Sequence, residues 1–248
     1  MKIIANLKMN KTVQETKEYL TTIVSKYNKK HELTLCLPYT SLALGQFFLE
    51  GNEFIKMGAQ NVCDEEVDKC TGEISAQMLK STGAHSVIVG HSERRVKFRE
   101  TGRSINKKIK LALKNGLQVI LCVGENLAER NSKKTKESLK DQLEDCLKGL
   151  YENELENITI AYEPVWAIGT GKIPLMREIE QSVKYIRKNI VEYFSQKAGD
   201  EIKVVYGGSV NNKNVLSIIR IPGVDGVLIG GACLDANNFL QLLSILPN

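Results

Sequence analysis

The chain has 248 residues, 42% of them hydrophobic and 25% charged, with 34 basic against 29 acidic side chains and a net charge of +5. That length suits one large domain or two small ones with a sizeable core, and the composition excludes disordered, collagenous and coiled-coil chains. No apolar run reaches the ~18 residues of a membrane span, and the mild, dispersed positive charge argues against nucleic acid while suiting a small anionic substrate.

Strand-like runs then recur along the chain. KIIAN at 2–6 comes first, followed by an amphipathic, helix-period segment at 12–30. LTLCL at 33–37, FIKMGA at 54–59, SVIVG at 86–90 and LQVILCV at 117–123 continue the series. A helical segment at 138–150 leads to ITIAYE at 158–163, and another at 178–194 to IKVVYG at 202–207 and DGVLIG at 225–230. The runs are short, β-branched and almost continuously apolar, as strands covered on both faces are. Eight units in 248 residues is about 31 residues each, a rhythm that predicts a parallel α/β architecture. Either an open doubly wound sheet or a (β/α)8 barrel satisfies it, and ~250 residues is the usual barrel size. No linker composition divides the chain, so residues 1–248 read as one domain.

The N-terminal MKIIANLK places Lys8 where an export signal needs apolar residues, so a cytoplasmic protein is expected. Six cysteines, at 36, 63, 70, 122, 146 and 233, show neither CxxC pairs nor zinc spacing. They read as reduced thiols, mostly small core residues.

In a barrel, chemistry gathers where strands hand over to the following loops. The first run ends in Asn6-Leu7-Lys8, with Asn6 and Lys8 on one face of an extended segment. The fourth ends in Gly90-His91-Ser92-Glu93, the sixth in Tyr162-Glu163-Pro164, the seventh in Gly207-Gly208-Ser209 and the eighth in Gly230-Gly231. Glycines let backbone N–H groups approach a ligand, and a following helix start favours an anion. Each pair could equally be a tight turn; two on adjacent strands, one with Ser209, tilt the reading toward phosphate. Glu163 shares the period-2 face of Thr159 and Ala161. A carboxylate there is costly unless it is solvated, paired or used, which leaves a structural ion pair or a general base. His91 differs from His31 and His85, which read as ordinary polar residues, because it joins an apolar strand to a Ser-Glu helix start. Trp166 lies in an apolar Pro/Gly stretch at 164–174, suited to a lid over substrate or to packing on the barrel rim.

Taken together, ANLKMN, GHSERR, AYEPVWAIGTGK, YGGSV and GVLIGGACL occur in order along the whole chain, and the sequence thereby resembles the triosephosphate isomerase family. The resemblance implies a single-domain TIM barrel of eight parallel strands that interconverts dihydroxyacetone phosphate and glyceraldehyde 3-phosphate. It implies Glu163 as general base, His91 as neutral electrophile, Lys8 as electrostatic stabiliser with Asn6 beside it, and Glu93 as a supporting carboxylate. Gly169, Ser209, Gly230 and Gly231, with Asn6 and Lys8, would hold the phosphorylated triose. Residues 164–172 would form a lid that excludes water, with Gly171 giving backbone access. Neither metal nor organic cofactor is implied, and partners other than this small substrate reduce to a second copy: Gln60, Asn61, Thr71 and Glu73 match the loop through which family members pair as homodimers.

Three positions depart from the family pattern. Leu7 stands where an aromatic is usual, Pro174 enters the far hinge of the lid, and Val67-Asp68-Lys69-Cys70 replaces Gly-Ala-aromatic before Thr71-Gly72-Glu73. The last change leaves Cys70 as an accessible thiol in the pairing loop. Rival readings are weaker. A Schiff-base aldolase barrel would need a lysine where Glu163 stands, and a catalytically dead relative would be expected to lose Glu163, His91 or Lys8.

Overall fold

A computed structural model describes residues 1–28, 30–66, 69–170 and 172–247. Val67, Asp68 and Gly171, singled out above, lie outside the described residues. The barrel alternative is the one the chain adopts. Strands β1 (Lys2–Asn6), β2 (Glu32–Leu37), β3 (Ile55–Ala59), β4 (Ser86–Val89), β5 (Gln118–Val123), β6 (Ile158–Tyr162), β7 (Lys203–Tyr206) and β8 (Gly226–Ile229) close in sequence order. All neighbours pair in parallel, and closure comes from Lys2 opposite Gly226 through Ala5 opposite Ile229. Each strand falls within a residue or two of its predicted run.

The helices also follow the predicted segments, with shifted ends. The first spans Val13–Lys26, opened by a reciprocal cap in which the Thr12 hydroxyl accepts the Glu15 N–H and Glu15 accepts the Thr12 N–H. It stops four residues before the expected end, where Tyr27 leaves the helix and its phenol bonds both the carbonyl and the N–H of His31. That contact buries His31, which lies in the loop just before β2. Thr135–Leu147 and Met176–Tyr193 match the segments predicted at 138–150 and 178–194.

Strand alternation sorts the apolar side chains into two layers. Ile4, Cys36, Ile88, Ile120, Cys122, Ala161, Val205 and Leu228 fill the barrel interior. Their strand neighbours, such as Ile3, Ala5, Ile160 and Tyr162, join the larger layer beneath the helices. Leu7 is fully buried in that outer layer, so it fills the place of the usual aromatic as a packing residue. The same parity aims Asn6, two beyond Ile4, and Glu163, two beyond Ala161, at the C-terminal mouth of the barrel.

Candidate active site

At the end of β1 the backbone itself is strained. Lys8 adopts φ +52°, a left-handed conformation that costs a side-chain-bearing residue about 1–2 kcal/mol. Buried Asn6 holds it there, its amide oxygen accepting the Lys8 N–H at 3.0 Å. The lysine then crosses the mouth, and its Nζ donates to Glu93 Oε1 at 2.6 Å. Burial would raise the Glu93 carboxyl, but the Lys8 hydrogen bond and charge outweigh it and hold the group below its ordinary value.

His91 reaches the site by breaking the strand's alternation. Ile88 points inward, so regular pleating would send His91 outward. Gly90 instead takes φ +68°, a region open to glycine without steric cost, and turns the chain so that the imidazole is buried. Arg95 braces the turn, its Nε donating to the Gly90 carbonyl at 2.7 Å and its Nη2 to the Cys122 carbonyl at 3.0 Å. His91 caps the helix Ser92–Lys97 and its Nδ1 accepts the Glu93 N–H at 3.2 Å. A nitrogen that accepts carries no proton, so in the neutral ring the proton sits on Nε2. That Nε2 lies 3.3 Å from Glu163 Oε1.

Glu163 is 1% exposed. Its Oε2 accepts the Ser92 N–H at 3.2 Å, whereas its Oε1 makes no hydrogen bond. Its room comes from a neighbouring strand: a Cβ on Gly207 would stand 2.8 Å from Glu163 Cγ. Below it, burial first, and then the charge and hydrogen bond of Glu163, push the Cys122 thiol well above its ordinary range.

A cavity of about 500 Å³ opens beside this cluster, lined in part by Asn6, Lys8, Gln60, Asn61, His91 and Glu93. Glu163 lines a neighbouring cavity of about 190 Å³, with Ser92, Cys122 and Gly124. The expected phosphate residues come together less completely. Gly230 approaches Lys8, its missing Cβ lying 3.3 Å from Lys8 Cε, and a helical turn, Gly231–Cys233, begins directly after it. After β7 no helix starts at Ser209. The chain runs on through Asn211, whose N–H donates to the Asn214 side chain at 2.8 Å, and the helix Val215–Ile219 follows; the Asn214 amide donates to the Ser209 carbonyl at 3.0 Å. Gly169, at φ +68°, is exposed, with open space where its Cβ would be.

The near end of the 164–174 stretch forms a short helical turn, Val165–Ala167. Its anchor is Glu125, a fully buried residue just past β5 that the sequence reading missed. Glu125 accepts hydrogen bonds from the Trp166 indole at 2.9 Å and the Tyr162 phenol at 3.1 Å, and its carbonyl accepts the Val165 N–H. Burial raises its carboxyl despite these donors. Arg130 stacks on the Trp166 ring at 4.1 Å and grips Glu178, whose carboxylate also accepts the Leu175 N–H at the far hinge. Pro174, in that hinge, is buried. A polar residue immediately after a strand was the signal used for the other junctions, and Glu125 carries the same signal.

The expected pairing loop divides into an anchored stem and an open tip. Gln60 donates to the Cys36 carbonyl at 3.0 Å, and buried Asn61 accepts from Lys108, itself paired with Glu100. Thr71 and Glu73 are exposed, with the Glu73 N–H closing a turn onto the Cys70 carbonyl. Among the described residues no group of three or more His, Cys, Asp or Glu side chains converges as a metal site, and no helix is long and apolar enough to cross a membrane.

Known proteins share both sequence and architecture with this chain. A family model described as triosephosphate isomerase matches residues 1–246. The triosephosphate isomerase of Alkaliphilus metalliredigens is 42% identical over 243 residues, covering 98% of each chain. That of Alkaliphilus oremlandii is 41% identical over the same length and coverage. A crystal structure of triosephosphate isomerase from Bartonella henselae superposes with a TM-score of 0.87 at 36% identity, again over 98% of both chains. A closed eight-stranded parallel barrel, a mouth carrying Lys8, His91 and Glu163, and full-length relatives lead to one conclusion: this chain belongs to the triosephosphate isomerase family.

Proposed function

We propose that this chain catalyses the reversible interconversion of dihydroxyacetone phosphate and D-glyceraldehyde 3-phosphate by proton transfer through an enediolate. The observation that carries the reading is the Glu163–His91 pair. It consists of a buried carboxylate oxygen without a hydrogen bond, 3.3 Å from an imidazole nitrogen whose tautomer is set by the Glu93 N–H. A substrate carbonyl placed against His91 Nε2–H would be polarised by a neutral donor. Glu163 would take a proton from the adjacent carbon, and the electron pair would pass to the oxygen as the enediolate forms. The hydroxyl proton passes from one oxygen of the enediolate to the other, the carbonyl re-forms on the first carbon, and Glu163 returns its proton to the neighbouring carbon, so that it ends as it began. Lys8 offers a fixed positive charge for the developing oxyanion, pre-positioned by Asn6 and Glu93. Gly169, Ser209, Gly230 and Gly231 would hold the phosphate, and closure of residues 164–172 would keep water from the enediolate.

Movement of Glu163 is part of this proposal. The Ser92 bond at 3.2 Å is long for a carboxylate acceptor, so it holds the base in reserve at little cost to its release. The test is a coupled assay from glyceraldehyde 3-phosphate in the presence of EDTA, beside Glu163→Gln. Turnover that resists the chelator and falls roughly 10²- to 10⁴-fold in the variant supports the reaction and the role of Glu163. Absence of turnover in folded native protein overturns it.

We further propose a homodimer joined through the loop bearing Gln60, Asn61, Thr71 and Glu73. Support comes from the exposed loop tip and from a cavity that the stem residues Gln60 and Asn61 line together with Tyr39 and Phe98. Sedimentation at micromolar protein should return the dimer mass, and a monomer mass would reject the assembly.

A further inference from the structure

Three residues beyond Glu163 the chain is bolted to two neighbouring helices. Pro164, at φ −63°, and the turn Val165–Ala167 make the connection short and stiff, and the Ala167 N–H closes it onto the Pro164 carbonyl at 2.8 Å. Trp166 is held on two sides. Its indole donates to Glu125 at 2.9 Å, and the Arg130 guanidinium lies over its ring at 4.1 Å. Among the described residues the hydrogen bonds of that guanidinium go to Glu178 alone, one nitrogen reaching both carboxylate oxygens at 2.8 and 2.9 Å. Arg130 and Glu178 also line a cavity of about 310 Å³. Packing therefore leaves the guanidinium room on that side, and the ion pair decides where it rests. Glu178 is itself fixed by a different group. It stands in the first turn of the helix Met176–Tyr193, whose capping position is Leu175, a residue with no side-chain acceptor. Glu178 accepts the Leu175 N–H instead, at 2.8 Å. Burial would raise the Glu178 carboxyl, but Arg130 and the Leu175 N–H outweigh it and hold the group below its ordinary value, so the pair is ionised at neutral pH.

We propose that Arg130 and Glu178 are positioning residues for Glu163, acting through Trp166 and the Pro164 turn. This role rests on Glu163 being the base of the isomerisation. It is independent of the dimer, because none of these residues lies in the loop at 60–73. The Glu163 carboxylate swings between the Ser92 N–H and the substrate, but it swings from a backbone whose next three residues shift as a unit. A displacement of the Trp166 ring is therefore passed on to the Glu163 Cα. The residue type at 130 matters for the same reason. A guanidinium can present its face to a ring and its edge to a carboxylate at once, which an ammonium cannot. Glu178 thus fixes Arg130, Arg130 with Glu125 fixes Trp166, and Trp166 fixes the point from which the base reaches into the mouth.

The test is a double-mutant cycle read by kcat, KM and the emission of Trp166, the one tryptophan of the chain. Glu178→Gln keeps an oxygen for the Leu175 N–H but removes the charge that holds Arg130. Arg130→Met keeps bulk over the ring but removes the guanidinium. Each should lower kcat roughly three- to tenfold with KM little changed, and should shift the Trp166 emission of the substrate-free protein. In the double variant kcat should be no lower than in Arg130→Met alone, because Glu178 acts through Arg130. Arg130→Lys, which keeps the charge, should recover part of the loss. Losses that multiply in the double variant would overturn the proposal. So would a native kcat in folded Glu178→Gln, whether or not its emission or melting temperature has moved. Native protein is the control: its failure to turn over would sink the isomerase reading and this one with it, whereas native turnover beside an unaffected Glu178→Gln overturns this one alone.

Discussion

The mouth of the barrel is built in two ways. On the side of β1, β4 and β6 it offers side chains, each locked by another: Asn6 fixes Lys8, Lys8 pairs with Glu93, the Glu93 amide orients His91, and His91 faces Glu163. On the side of β7 and β8 it offers mainly backbone, with Gly207, Gly208, Gly230 and Gly231 in place of functional groups. The first half has few alternative arrangements, because removing one member leaves a buried or strained partner. The second works by what is missing, since space near Glu163 and Lys8 exists only while no Cβ occupies it. Charge is localised on one side, and room and amides are supplied on the other.

The strongest way to break this division is Lys8→Met. The variant keeps the stem's bulk but removes the cation that faces Glu93 across the mouth, and kcat/KM should fall roughly 10²- to 10³-fold. A second effect has a defined sign. The Glu93 carboxyl is held below its ordinary value of 4.5, so the stability it contributes is present above that value and is lost as pH falls through the lowered one. Without Lys8 the carboxyl moves up and this acid-side loss disappears, which unfolding curves below about pH 4.5 would reveal. An unchanged acid limb would show that the pair does not couple to folding.

Gly207→Ala crosses the boundary between the halves. The new Cβ would meet Glu163 Cγ at 2.8 Å, in a substitution that adds no charge and removes no hydrogen bond. A displacement of the base approaching 1 Å is worth about 10²-fold in kcat, with KM little changed. Native kcat in this variant would mean that Glu163 works from a position other than the one described.

The uneven legibility of the site has the same origin. Parity along a strand is enough to assign Asn6 and Glu163 to inward faces from sequence alone, because alternation is a local property of extended chain, whereas Lys8 lies beyond β1 in a left-handed conformation. His91 does not follow parity; Gly90 overrides it, and only the motif GHSE marks the residue. Glu125 carries the same strand-end signal, but what it holds is legible only once the fold brings Tyr162 and Trp166 to it across 37 and 41 residues of sequence. The expected helix start after β7 fails because the Asn214 side chain accepts the Asn211 N–H and donates to the Ser209 carbonyl, holding the segment in a turn and delaying the helix to Val215, a side-chain detail outside any hydropathy period.

Glu125 supplies the next test, on the lid that spans both halves. Trp166→Phe keeps the ring that stacks on Arg130 but deletes the 2.9 Å donor to a buried carboxylate. The cost should be about 1–3 kcal/mol of stability. Because the Glu125 carboxyl is already raised, it favours the protonated folded state, and its contribution to stability falls as pH rises from the ordinary value through the raised one. Loss of the indole N–H pushes it further up. The difference in melting temperature between variant and native protein should therefore be small in acid and widen toward neutrality. A constant difference would place the cost in lost packing.

Ser209→Ala is the mildest of these changes and the sharpest test of the division itself. Ser209 is half-buried, and its carbonyl is held by the Asn214 amide whatever side chain it carries. The backbone cradle should therefore survive the substitution intact. On the proposed reading only one hydroxyl bond to the phosphate would be lost, worth about 1.5 kcal/mol at the lower end for a charged acceptor, or roughly tenfold. A group that binds the phosphate binds it equally in substrate and transition state, because the phosphate does not react. The loss should then appear in KM with kcat unchanged. A fall in kcat instead would mean that the hydroxyl acts on lid closure or on Glu163, and that the two halves are not separable.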